Sequence, residues 1–116
     1  MRASRQRERQ ALEQQKRFAE ARMRQSERLV RETISRIAET LGETEERQRR
    51  QIARVVEVLG MELALALLDE TLQIEASGGM TTADGSRRRT PGGVYLTLLK
   101  QRLVAEGRKD DLKKII

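Results

Sequence analysis

Cysteine, histidine and tryptophan are absent from this 116-residue chain, and proline, tyrosine and phenylalanine occur once each. Without cysteine there are no disulfides and no thiolate nucleophiles; without histidine as well, the usual zinc ligands and the commonest general base are gone. The expectation is a protein with no catalytic residue, no metal site and no cofactor. No apolar run approaches the roughly eighteen residues that span a bilayer. The N-terminal arginines are not followed by the apolar core of a signal peptide. That pattern predicts a soluble cytoplasmic protein with no membrane partner, and it leaves the nucleus open. With Phe18 and Tyr95 as the only aromatics, any core must be aliphatic.

Charge is abundant and unevenly placed. Lys and Arg number 24 against 18 Asp and Glu, a net of +6. Residues 1–31 hold ten positive and four negative side chains, residues 32–75 five and ten, and residues 76–116 nine and four. The ends are basic and the middle is acidic, so the ends are candidate polyanion surfaces and the middle is scaffold.

Residues 1–28 consist mostly of Arg, Gln, Glu and Ala, good helix formers, with sparse apolar positions at Leu12, Phe18 and Met23. They predict a basic helical or partly disordered extension, read either as an arm along a nucleic-acid backbone or as a solvated helix. From residue 29 the periodicity sharpens. Val30, Ile34, Ile37, Ala38 and Leu41 share one helical face up to Gly42, and Ile52, Val55, Val56 and Leu59 share another up to Gly60. Thr44 reads as the N-cap of that second helix. Residues 61–76 carry Leu63 to Leu68 with scarcely a polar face, which predicts a central helix approached closely at Ala64 and Ala66.

After Gly78-Gly79, Asp84-Gly85 is the dipeptide of a two-residue hairpin turn that would bring Ser86 to Arg89 back beside Thr81 and Thr82; a plain loop is the other reading. Thr90-Pro91 marks the start of a fourth helix, with Thr as N-cap and Pro in the first turn. Val94, Leu96, Leu99 and Leu103 face its core side, and Gly107 ends it. A short last helix has Asp110 and Asp111 at its start, Lys113 and Lys114 at its end, and Leu112, Ile115 and Ile116 to dock it. The fold class expected is all-α: a compact bundle of about four to five helices over residues 29–116, with a short hairpin before the fourth, plus the basic N-terminal extension.

One stretch combines features that invite an anion. Arg87, Arg88 and Arg89 run directly into Thr90, Gly92 and Gly93 at a helix start, so guanidinium groups and unpaired helix N–H groups converge as phosphate sites require. Alternation along an extended chain puts Arg87 and Arg89 on one side and Arg88 on the other, where it would pair with an acid such as Asp69 or Glu70. Two adjacent glycines in a first helical turn imply close approach, either of a ligand or of a packing neighbour. Tyr95, one turn inside, is read either as a stacking surface for a base or as core. No phosphate-loop motif and no carboxylate placed for magnesium accompany these residues.

The segment GSRRRTPGGVYLTLLK, with ETLQIEASGGM before it and QIARVVEVLG upstream, closely resembles the RNA-binding domain family of the phosphorylated adaptor for RNA export (PHAX) and its small single-domain relatives. The resemblance runs from about Ile37 to Ile116. It implies an all-helical module that binds single-stranded RNA with little sequence preference. Carried over by matching position, the RNA-binding residues are Ser86, Arg87, Arg88, Arg89, Thr90, Gly92, Gly93, Tyr95, Lys100 and Arg54. Asp84 stands where relatives have Asn. The reading that results is a non-catalytic single-stranded RNA-binding module, with single-stranded DNA as a competing ligand. The alternative is a helical protein-interaction module whose basic surface takes acidic partners.

Overall fold

The computed structural model describes residues 2–116. It contains five helices: α1 Arg2–Leu41, α2 Glu46–Leu59, α3 Met61–Ala76, α4 Pro91–Ala105 and α5 Lys109–Ile115. The described residues contain no strand, only an isolated antiparallel bridge between Thr81 and Arg88, so the fold is all-α. The chain divides into a first unit ending at Arg31 and a second, Glu32–Ile116. No helix is long and apolar enough to cross a membrane among the described residues.

Within the second unit, α3 packs against α2 and α4, and α5 packs against the same two helices. Aliphatic side chains fill the interior: Ile37 and Ala38 from the end of α1, Val55 from α2, Leu67 and Leu68 from α3, and Val94, Leu99 and Leu103 from α4. Each such Val, Ile or Leu contributes roughly 1.5 to 3 kcal/mol by leaving water. One buried polar side chain stands among them, Thr71, whose hydroxyl donates to the Leu67 carbonyl at 2.8 Å within the same helix.

Three local expectations are corrected. The N-cap of α2 is Glu45 rather than Thr44, and it makes no side-chain capping bond; its carbonyl accepts the Arg49 N–H at 3.1 Å. Helix α3 is central but not buried all round, because Ala66 and Leu72 are exposed; of the two alanines expected at a close approach only Ala64 is buried. At the C-terminus Ile115 docks and Ile116 does not.

Candidate nucleic-acid interface

Residues Met80 to Thr90 fold back on themselves between α3 and α4. The Arg89 N–H donates to the Met80 carbonyl at 2.6 Å and the Thr82 N–H to the Arg87 carbonyl at 2.8 Å, either side of the Thr81–Arg88 bridge. The hairpin expected here exists in its shortest form, a single bridge. Its turn is wider than the two-residue kind predicted. A type I′ turn requires positive φ at both central residues, whereas Gly85 alone has it (φ +72) and Asp84 does not. The Gly85 N–H instead closes a turn onto the Thr82 carbonyl at 2.9 Å.

Asp84 organises this tip. One carboxylate oxygen, Oδ1, accepts from the Thr82 hydroxyl at 2.7 Å, the Ser86 N–H at 3.1 Å and the Ser86 hydroxyl at 2.8 Å. Those bonds, the Thr82 hydroxyl foremost, favour the ionised form and lower the Asp84 pKa to about 2. The negative charge beside the arginines is thus held by neutral donors of the loop itself rather than by a guanidinium. Ser86 serves the shape of the loop.

The three arginines divide into different tasks. Arg88 serves the fold, and its partner is Glu75 in the last turn of α3 rather than Asp69 or Glu70: Nη2 donates to Glu75 Oε2 at 2.7 Å. Its guanidinium lies against Gly79, where a methyl group would fall 2.8 Å from Arg88 Cζ. Arg89 is half-buried and donates from Nε to the Thr81 carbonyl at 2.9 Å, leaving its terminal nitrogens without a partner among the described residues. Arg87 is exposed and makes no side-chain hydrogen bond or ion pair among the described residues. Thr82, Arg87, Arg88, Arg89, Thr90 and Gly93 line a depression of about 310 Å³.

The start of α4 forms one wall of that depression. Thr90 caps the helix, its hydroxyl accepting the Gly93 N–H at 3.1 Å, with Pro91 in the first turn. The two glycines have separate explanations. Gly92 is buried, and a methyl there would meet the Glu43 carboxyl group, 3.0 Å from Cδ, so its absent side chain makes room for a neighbour. Gly93 faces the depression. The acidic Glu43 against the helix N-terminus is electrostatically favourable, and it leaves only the Gly93 side of that turn for a ligand.

Tyr95, Arg54 and Lys100 lie apart from this cluster. Tyr95 is 1% exposed and its hydroxyl donates to the Ala64 carbonyl at 2.9 Å, so the ring bridges α4 to α3 and offers no face to a base. Burial pushes its phenol pKa above the ordinary value. Arg54 is half-buried, its Nε donating to the Ile115 carbonyl at 3.0 Å, where it fastens the end of α5 to α2. Lys100 is exposed on α4, seven residues and two turns beyond Gly93 along the same stripe. Sequence reasoning missed Glu43 and Glu75, which are brought to the site by chain reversal rather than by a local pattern.

Comparison with known proteins gives this architecture a lineage. The curated relatives include the phosphorylated adapter RNA export proteins of Gallus gallus, 57% identical over 49 residues, and Mus musculus, 59% identical over 49 residues. Those alignments take in 42% of this chain and 12% and 13% of the respective relatives, so the chain matches roughly an eighth of their length. A solved structure, described as a novel RNA-binding domain in Cryptosporidium parvum, superposes with a TM-score of 0.61 at 38% identity, covering 72% of this chain and 91% of that one. The family profile described as the phosphorylated adapter RNA export protein, RNA-binding domain, matches residues 27–116. The chain therefore belongs to that family.

Proposed function

We propose that the protein is a non-catalytic binder of single-stranded RNA that grips phosphates with Arg87, Arg89 and the Gly93 side of the α4 N-terminus. The observation that carries this reading is the division among the arginines. Arg88 is committed to Glu75, while Arg87 and the terminal nitrogens of Arg89 have no partner among the described residues and stand beside a capped helix start. The Gly93 N–H is taken by the Thr90 hydroxyl, so what suits a phosphate oxygen here is the pair of guanidinium groups, with the positive end of the α4 dipole behind them. With Tyr95 interior, base stacking in the domain is not part of the proposal, and contacts to the backbone alone read little sequence. Lys100, two turns along the same stripe, extends the positive surface in the direction a strand would follow.

The double variant Arg87→Ala/Arg89→Ala is expected to weaken binding to RNAs of different sequence alike. It should also flatten the dependence of log K on log salt by about 0.7 for each phosphate that the variant no longer neutralises. Unchanged affinity and slope in a folded variant would remove these residues from the site. Running the titration with single-stranded DNA, and with an acidic polypeptide at near-physiological salt, separates an RNA-specific site from a general basic surface.

A further inference from the structure

Tyr95 being interior, one aromatic ring faces solvent among the described residues: Phe18, 69% exposed. Every residue from Arg2 to Leu29 is exposed, and this part of the chain supplies nothing to cover the ring. It lies nine residues ahead of the segment matched by the family profile.

The surroundings of Phe18 have a definite chemistry. Its helical neighbours three and four residues away are Gln14, Gln15, Ala21 and Arg22. Residues 1–31 carry a net charge of +6. No cation up to Arg31 forms an ion pair among the described residues, whose ion pairs all fall between Glu75 and Lys114. At about 100° per residue, eight of the ten cations fall within a sector of roughly 140° bounded by Arg5 and Arg28. The remaining two, Arg7 and Arg22, flank the direction of Phe18, which lies about 80° past the Arg28 edge. Of the other large exposed apolar residues in this stretch, Leu12 and Met23, 65% and 64% exposed, lie about 120° to 140° away around the helix, and Leu29, 46% exposed, shares the side of Phe18 but stands three turns, about 16 Å, further along. A helix built to enter a lipid surface or a coiled coil gathers its apolar residues on one stripe. This one presents a single ring among unpaired cations and amides, the combination used on single strands, where a base stacks on the ring and the charges hold flanking phosphates.

We propose that Phe18 and Arg22 form a second contact for single-stranded RNA, outside the family domain, with the ring stacking a base and the arginine holding an adjacent phosphate. This rests on the RNA-binding reading above, and extends it from one site to two carried on the same chain.

The test uses the full chain and two labelled oligouridylates. One is about five nucleotides long, near the lower end of single-strand site sizes, and the other is about twenty-five. Phe18→Ala and Phe18→Leu should both weaken the longer RNA about five-fold or more while leaving the shorter nearly unchanged. Phe18→Leu should leave the salt slope intact, and Arg22→Gln should lower it by about 0.7. Wild-type affinity in Phe18→Leu would overturn the proposal, because leucine keeps the apolar surface and removes the stacking face. So would unchanged RNA binding alongside a loss, in Phe18→Ala, of binding to phosphatidylserine vesicles or of self-association. Loss confined to Arg87→Ala/Arg89→Ala overturns the Phe18 site and leaves the hairpin site standing. Loss confined to the Phe18 and Arg22 variants does the reverse. Circular dichroism of each variant confirms helicity, which an exposed side chain does not govern.

Discussion

Arg87 and Arg88 are chemically identical and adjacent, yet the bridge between Thr81 and Arg88 gives them opposite surroundings. Arg88→Ala removes an ion pair with partly exposed partners, for which about 0.2 to 1 kcal/mol is expected. It is predicted to lower thermal stability slightly and to loosen the hairpin, seen as faster exchange of the Arg89 amide that donates to Met80. Arg87→Ala should leave both measurements unchanged. Asp84 offers a second check at this scale. Its folded pKa is depressed from 3.8 to about 2, so its contribution to loop order is full above about 3.8 and is lost as pH falls through about 2. A carboxyl carbon-13 titration should give that midpoint, and Thr82→Val should raise it, because the Thr82 hydroxyl is the largest cause of the shift. That Arg88 would pair with an acid of the scaffold was legible from the sequence. Which acid was not, since which turn of α3 receives the guanidinium depends on the register of the chain reversal after Gly79.

The element best announced by its own residues is α4. Threonine followed by proline sets a cap and a first turn through local geometry alone, and the Gly93 N–H to Thr90 bond forms as that pattern requires. Thr90→Ala should therefore cost about 1 kcal/mol in denaturant unfolding. Where a boundary is fixed by tertiary packing, local residues mislead. Thr44 has a capping side chain but does not occupy the cap of α2, and Arg54 stands in a family motif but is turned toward α5. Arg54→Ala removes a charged donor from the Ile115 carbonyl, for which about 1.5 to 3 kcal/mol is the usual range for charged hydrogen bonds. The lower end is expected at a half-buried site. Amide exchange should accelerate in α5 before it does in α3, with RNA affinity for short oligonucleotides retained. Weakened affinity without local opening would instead return Arg54 to the binding surface.

At the scale of the whole chain, charge follows architecture. The acidic middle supplies α2 and α3, two of the helices that close the core, and the basic ends supply the proposed RNA contacts. The apolar periodicity of residues 30–59 and 94–103 made the bundle legible, because burying a stripe on each helix is what drives such a fold. The candidate site was less so, since two of its expected members, Tyr95 and Arg54, proved to be held in packing contacts that only the folded chain reveals. None of residues 2–29 is buried, so their helicity depends largely on intrinsic propensity and should melt gradually. The second unit should melt in one cooperative step. The circular dichroism signal is thus expected to decline in two phases, only the later one steepened by core packing.

The interior position of Tyr95 has an optical consequence. In a chain with no tryptophan it is the only tyrosine, and its hydroxyl is held by Ala64 at the junction of α3 and α4. Tyrosine emission from this protein therefore reports on the integrity of that junction and on nothing at the surface. The molecule carries its own fluorophore for unfolding, one that a strand bound along the arginines would not touch.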